Sequence, residues 1–209
     1  SAASDVYKRQ VTYTEKTRAV IKIQDGCDRF CSYCIIPYAR GRVRSRKPES
    51  IISEITQIAS KGIKEVVITG IHIASYGKDF AMSKDSKLTN YRLIDLLEEI
   101  NEIQGIQRIR LGSIEPLLIT VEFVERLKKL EKICHHFHLS LQSGCDETLK
   151  RMNRRYKIEQ FKEIVRLLRN AYSDVNLTTD IIVGFPGETD EEFEDTLDVV
   201  EKVKFEQVY

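Results

Sequence analysis

This 209-residue sequence has no long apolar run and no large excess of one charge. No stretch approaches the roughly 18 apolar residues of a membrane span, and the N-terminus has no apolar signal core. These two absences predict a cytoplasmic protein that does not cross a membrane. The net charge of only +1 excludes a globally basic chain, so any RNA contact must come from a local patch or from another domain.

Cysteine is scarce, and the sequence has no low-complexity tract. The five cysteines are odd in number and three of them are clustered, which favours a metal or redox site over a framework of disulfides. The composition, 42% hydrophobic and 31% charged, is that of an ordinary globular protein rather than a disordered one. Its length predicts one large domain.

The clustered cysteines are Cys27, Cys31 and Cys34. Three thiolates within eight residues can bind zinc, copper(I) or an iron–sulfur cluster. A [4Fe–4S] cluster normally takes four cysteines, so three would leave one iron free to bind another molecule. A structural zinc site needs a fourth ligand, and the remaining two, Cys134 and Cys145, are distant in sequence. The open iron–sulfur site is the favoured interpretation, and zinc is the alternative.

Segments with strand and helix patterns alternate along the chain. Strands are predicted at residues 18–24, 65–69, 107–111, 136–141 and 177–183, with a sixth beginning at 206–209. Residues 76–90 are predicted to be a surface loop, and Thr189 with Glu192 forms a predicted helix capping box. The alternation predicts an α/β fold: an open, partial parallel β/α barrel of about six strands, with its site at the carboxyl ends of the strands.

The predicted domain boundaries follow from the same pattern. Residues 1–17 are expected to be a tail that is not necessarily native, and residues 18–209 the folded domain. Because the sequence stops inside the sixth strand, we expect a chain truncated at that strand.

Alternation within the predicted strands indicates what the barrel contains. Apolar residues at 137, 139 and 141 share one face, so His138, Ser140 and Gln142 point to the interior. The same argument turns Arg108 and Arg110 inward. A packed structural barrel would hold Val, Ile and Leu there, so this polar interior indicates a substrate cavity.

The cysteine segment, residues 23–34, and the following residues 35–42 resemble the signature of the radical S-adenosylmethionine methylthiotransferases. The resemblance extends to Thr69 and Gly70, to residues 138–144 and to residues 180–188. It covers residues 18–209, which correspond to the central radical domain of that family.

The resemblance implies a [4Fe–4S] cluster on the three cysteines, with S-adenosylmethionine chelated at the fourth iron. Reductive cleavage would then give a 5′-deoxyadenosyl radical. The implied cofactor-binding residues are Tyr33, Gly70, Gln142, Ser143, Gly184, Phe185 and Pro186. Tyr33 could instead be an ordinary loop aromatic, Gln142 and Ser143 could cap their loop, and Gly184 could belong to a simple turn.

Several charged residues are candidates for substrate contact: Arg40, Arg42, Arg110, Glu115, His138, Arg154 and Asp180. The first two belong to a basic ribbon with Arg44, Arg46 and Lys47, which either contacts tRNA phosphates or is a solvated face. Arg154 is expected to reinforce the ribbon. Glu115 and Asp180 could bind a substrate amine or pair with a basic residue.

Within the family, the motifs of this sequence are most similar to those of the branch that modifies N6-threonylcarbamoyladenosine 37 in the tRNA anticodon loop. The alternatives are isopentenyladenosine 37, an aspartate of a ribosomal protein, and, from another class, a zinc-stapled RNA-binding domain without enzymatic activity. Complete relatives also carry an N-terminal cluster domain and a C-terminal RNA-binding domain. We therefore expect these 209 residues to bind the cluster and S-adenosylmethionine, with a reductase or flavodoxin-type electron donor, but not to complete methylthiolation.

Overall fold

The computed structural model describes residues 17–82 and 85–209. Residues 1–16, nearly all of the predicted tail, lie outside the described residues. The strands are β1 (Arg18–Asp25), β2 (Arg44–Ser45), β3 (Glu65–Gly70), β4 (Arg108–Leu111), β5 (His136–Gln142), β6 (Asn176–Ile181) and β7 (Gln207–Val208). The helices are α1 (Ile36–Arg40), α2 (Pro48–Ser60), α3 (Leu93–Asn101), α4 (Val121–Leu127), α5 (Asp146–Arg151), α6 (Ile158–Ala171) and α7 (Asp190–Val203). Short 3-10 turns occupy Ile73–Ser75, Lys78–Met82 and Pro116–Leu118.

The strands form two sheets that meet edge to edge. The first has the order β2-β1-β3-β4 and the second the order β5-β6-β7. All pairs are parallel except β1 with β2. Between the sheets, the Ile114 N–H donates to the His138 carbonyl at 2.8 Å and the Ser140 N–H to the Ile114 carbonyl at 3.1 Å. The six predicted parallel strands are therefore present in chain order, in an open arrangement; β2 is a short addition.

The core lies between the sheets and the helices. In β5, buried and partly buried residues alternate from His136 to Gln142, with Phe137, Leu139 and Leu141 on the buried face. Helix α2 presents Ile51, Ile55 and Ile58 to the core at helical spacing. Each such side chain contributes about 1.5–3 kcal/mol on burial. Among the helices of the described residues, none is both long enough and apolar enough to cross a membrane.

The predicted surface loop at residues 76–90 is wrong in one respect. Tyr76 and Phe80 are buried and pack edge to face, with ring centroids 5.7 Å apart. The Tyr76 hydroxyl donates to the Arg46 carbonyl at 2.8 Å. These contacts hold the segment against the core. The sequence pattern does not predict them, because the two aromatic residues are surrounded by polar ones.

Candidate metal and cofactor site

The cysteine loop begins with a turn that only glycine can make. Gly26 has φ +71°, and a Cβ built on it would lie 1.9 Å from the Arg42 carbonyl oxygen. The Asp25 carboxylate accepts the Gly26 N–H at 2.8 Å, and the Cys27 N–H donates to the Gly41 carbonyl at 3.0 Å. The end of β1 is thereby fastened to the chain that follows α1.

Cys27, Cys31 and Cys34 are free thiols at intermediate exposure on one loop. Burial raises the pKa of the Cys27 thiol, and the neighbouring thiols at 31 and 34 add to this rise. Within residues 17–82 and 85–209, no three metal-ligating side chains are grouped as they would be around a single ion. The cysteines of a [4Fe–4S] cluster need no such grouping, because each binds a different iron. As a soft, thiolate-only donor set, the three residues fit that cluster.

The loop after α5 is hydrogen-bonded to the cysteine loop. The Ser32 N–H donates to the Met152 carbonyl at 3.1 Å, and its hydroxyl donates to the Arg151 carbonyl at 2.8 Å. The Asn153 amide donates to the Phe30 carbonyl at 2.8 Å. Residues more than 100 positions apart therefore fix the backbone between the cysteines.

Arg154 occupies a different place from the one expected for it. Its guanidinium donates to the Cys31 Sγ at 3.5 Å and to the Ser140 carbonyl at 3.0 Å, and it lies 5.1 Å from the centre of the Tyr156 ring. Instead of reinforcing the basic ribbon, it lies against the cysteine loop. Since a guanidinium stays protonated, it places a permanent positive charge beside a ligand that would carry negative charge.

Tyr33, in the cysteine loop, contacts Phe185 in the glycine turn after β6 (residues 184–187). The rings of Tyr33 and Phe185 lie edge to face with centroids 6.4 Å apart. Gly184 has φ +70°, and a Cβ built there meets nothing within 4 Å in the described part of the chain. The N–H groups of Gly184 and Phe185 both donate to the Glu188 carboxylate, at 2.6 and 3.2 Å. Together with the exposed Pro186, these residues line an open edge beside the cysteines.

The other predicted cofactor residues are Gly70, Gln142 and Ser143, and each has a different structural setting. Gly70 lies where a Cβ would come within 3.0 Å of the Gln24 carbonyl, so it allows close packing of β3 on β1. Gln142, at the end of β5, has φ +75°, and strained backbone of this kind is often found at functional sites. Ser143 is fully buried, and its Oγ accepts the Cys145 N–H at 3.2 Å. Of the two roles expected for Ser143, cofactor binding and capping of its loop, the observed hydrogen bond is the one expected of a loop cap.

The interior residues form two separate groups. His138 lies with Nδ1 3.0 Å from the Thr178 Oγ1 and Nε2 3.0 Å from the Asp180 carboxylate. Arg110 donates to the Glu65 carboxylate at 3.3 Å, at the start of β3. His138 and Asp180 thus form one hydrogen-bonded group. Arg110 pairs with Glu65 at the amino edge of the sheet, away from the cysteine loop.

An ion pair that sequence patterns do not reveal crosses from the cysteine loop to the segment after β4. The Arg29 guanidinium donates to the Glu115 carboxylate at 2.6 Å, with side-chain exposures of 17% and 5%. Of the two expectations for Glu115, pairing with a basic residue is the one the structure shows. His72 lies 3.5 Å from Arg29 and 2.7 Å from the Ser75 hydroxyl. Burial, with the positive charges of Arg29 and other cations, lowers the pKa of His72 to about 3.

The basic ribbon is partly used by the fold. Arg44 donates to the carbonyls of Arg40 and Arg42 at 2.8 and 3.2 Å, and Arg46 pairs with Glu54 at 2.7 Å. The side chains of Arg40 and Arg42 are exposed on the same rim as the cysteine loop. These two residues and Lys47, which is also exposed, are therefore accessible to a ligand.

Residues 21–200 match the Radical SAM superfamily, and the chain belongs to this family. It is 48% identical over 195 residues to the tRNA-2-methylthio-N(6)-dimethylallyladenosine synthase of Caldicellulosiruptor saccharolyticus, covering 93% of this chain and 40% of that protein. It is 43% identical to the threonylcarbamoyladenosine tRNA methylthiotransferase MtaB of Bacillus subtilis, covering 94% and 42%. The resemblance predicted from the sequence is confirmed, and the chain spans about two fifths of the length of these curated relatives.

A solved structure has the same fold. The radical S-adenosylmethionine methyltransferase TsrM of Kitasatospora setae superposes with a TM-score of 0.70 at 21% identity, over 91% of this chain and 35% of that one. Methylornithine synthase superposes with a TM-score of 0.59 at 14% identity, over 91% and 51%. These likenesses confirm the predicted open α/β fold of the radical SAM type.

Proposed function

We propose that this chain is the radical core of a tRNA methylthiotransferase that holds a [4Fe–4S] cluster through Cys27, Cys31 and Cys34. The observation that carries the proposal is the three-thiol loop at the carboxyl end of β1, in a chain that belongs to the radical SAM family. When bound, the cluster would supply an electron to S-adenosylmethionine chelated at its fourth iron.

The chain's own residues have distinct roles in this proposal. Tyr33, Phe185 and the open turn at Gly184 form the wall against which the adenine of S-adenosylmethionine would lie. Arg154 compensates the negative charge of the thiolate ligands and, through the Ser140 carbonyl, ties their loop to β5. Gln142, at the end of the same strand, would hydrogen-bond the ribose of S-adenosylmethionine or the substrate.

For the substrate we propose adenosine 37 of tRNA bearing an N6-threonylcarbamoyl group. Relatives at 43–48% identity carry both this assignment and the dimethylallyl (isopentenyl) one, which is the second candidate. The exposed Arg40 and Arg42 would contact tRNA phosphates. His138 and Asp180 would face the substrate from the interior. The electron donor would be a reductase or a flavodoxin-type protein, and the full reaction would need segments of the longer relatives.

Anaerobic reconstitution with iron and sulfide tests the cluster. We expect a brown protein with about four irons per chain that cleaves S-adenosylmethionine when reduced. A Cys31→Ala variant should lose most of the iron, whereas Cys134→Ala, which removes a thiol of similar exposure elsewhere, should retain it. A colourless protein with stoichiometric zinc would instead support the non-enzymatic RNA-binding alternative.

The substrate is tested in cells that lack the complete gene. Mass spectrometry of tRNA nucleosides should show loss of the 2-methylthio derivative of threonylcarbamoyladenosine and retention of the isopentenyl one. Loss of the isopentenyl derivative alone would favour the second candidate.

A further inference from the structure

A cleft of about 250 Å³ opens beside the cysteine loop. Its walls come from the segments after β1, β3 and β4 and from the first turns of α3 and α4. The apolar wall includes Leu93, Leu117 and Phe123, and the charged wall consists of Arg29, Lys78, Arg92 and Glu115. Arg29 belongs to the cysteine loop itself, so the cleft adjoins the proposed site.

The positive charges of this wall outnumber its negative charge. Glu115 is the one carboxylate among the lining residues, and Arg29 engages it at 2.6 Å. The Arg92 guanidinium donates to the carbonyls of Gly77 and Tyr91 at 2.9 and 2.8 Å, which orients the group without neutralising its charge.

Lys78 is the cation best placed to receive a ligand. Its side chain is exposed at the cleft and makes no ion pair within 4 Å in the part of the chain that the structure describes. Although the side chain reaches solvent, partial burial of its ammonium lowers its pKa; the cations Arg29 and Arg92 lower it further, against the opposing effect of Glu115. A bound anion would relieve this repulsion.

We propose that this cleft binds an anion, namely the carboxylate of an amino-acid substituent on the target base. The inference rests on the proposed function and decides between its two substrates. Threonylcarbamoyl carries a carboxylate, whereas isopentenyl is an uncharged hydrocarbon that would leave the cations facing apolar atoms. At about 250 Å³ the cleft is smaller than the roughly 300–1,000 Å³ of sites for drug-sized ligands, so it suits a substituent rather than a whole nucleotide.

An RNA phosphate offers the same anionic chemistry, so the experiment must separate the two sources. We would measure binding of fluorescent anticodon stem-loops of one sequence, with threonylcarbamoyladenosine, isopentenyladenosine or unmodified adenosine at position 37. The proteins are the wild-type chain, Lys78→Gln, and the matched control Lys61→Gln, which alters an exposed lysine after α2 at the far edge of the sheet.

We expect Lys78→Gln to weaken binding of the threonylcarbamoyl stem-loop about tenfold, or about 1.4 kcal/mol. Binding of the other two stem-loops should change less than about twofold, and Lys61→Gln should change none. An equal loss for all three stem-loops would assign the cleft to phosphate, and an unchanged affinity for all three would remove Lys78 from recognition; either result overturns the proposal.

A second arm keeps failure of the cleft distinct from failure of the proposed function. If the wild-type chain binds no stem-loop, the free threonylcarbamoyladenosine and isopentenyladenosine nucleosides are titrated by NMR. Preference of the wild-type chain, but not of Lys78→Gln, for the first nucleoside supports the cleft even though tRNA binding has failed. Equal binding of both nucleosides, or of neither, overturns it. Cleavage of S-adenosylmethionine by the reconstituted chain tests the proposed function independently.

Discussion

Replacing Gly26 by alanine should destabilise the protein and disrupt the cysteine loop. An L-residue held at φ +71° costs about 1–2 kcal/mol. The added methyl would also lie 1.9 Å from the Arg42 carbonyl oxygen and 2.7 Å from that of Gly41, and these are backbone atoms that cannot rotate away. Overpacking of this kind costs about 1–3 kcal/mol. The free energy of unfolding should therefore fall by about 2–5 kcal/mol.

Gly62 provides the matched control because it shares the conformation but not the clash. Its φ is +87°, and among described residues nothing lies within 4 Å of a Cβ built there. Gly62→Ala should lose only the conformational cost, about 1–2 kcal/mol. Urea unfolding measures both losses, and the iron retained after anaerobic reconstitution reports on the loop. Equal destabilisation of the two variants, or full iron content in Gly26→Ala, would refute the argument.

Three further predictions concern charged groups near the sheets. In the unfolded chain a histidine becomes protonated near pH 6.5, whereas buried His72, with a pKa of about 3, stays neutral in the folded protein. The free energy of unfolding should therefore fall by about 1.4 kcal/mol per pH unit below 6.5 because of this group. Urea unfolding at pH 6 and 5 should show a smaller dependence of this free energy on pH for His72→Asn. Arg154→Met should reduce the iron retained after reconstitution, because the charge beside Cys31 is lost; undiminished iron would contradict this role. The hydrogen bond from Arg108 lowers the pKa of Glu65, so its stabilisation is present above about pH 4.5 and lost as the pH falls, and Glu65→Gln should flatten the acid unfolding profile there; an unaltered profile would count against it.

The sequence predicts those parts of the fold that local patterns determine. Alternation from His136 to Gln142 identifies both faces of β5, because a strand places successive side chains on opposite sides. The capping box at Thr189 is confirmed, with the Glu192 N–H donating to its hydroxyl at 3.3 Å and its own N–H donating to the Glu192 carboxylate at 3.0 Å. Both features depend on neighbours in the chain.

Contacts between distant segments could not be predicted in this way. Arg29 and Glu115 are 86 positions apart, and no periodicity or motif links a charge between two cysteines to a carboxylate after another strand. Likewise, Arg154 follows a helix and precedes a second arginine, which in sequence resembles a solvated basic patch. Only the three-dimensional contact between this loop and the cysteine loop shows that the Arg154 guanidinium lies beside the Cys31 sulfur.

These distant contacts lie at the junction between the two sheets. Between β4 and β5 the continuous ladder is replaced by isolated bridges, such as the one between Ile114 and Leu139. The cysteine loop spans this seam: Arg29 reaches Glu115, directly after the bridge on one side, and Cys31 accepts from Arg154, which also holds the Ser140 carbonyl on the other. Because charge-assisted hydrogen bonds are individually stronger than neutral ones, they can compensate for the missing ladder. The position of the cysteines is therefore coupled to the closure of the two sheets, and residues that stabilise the seam also shape the cluster site.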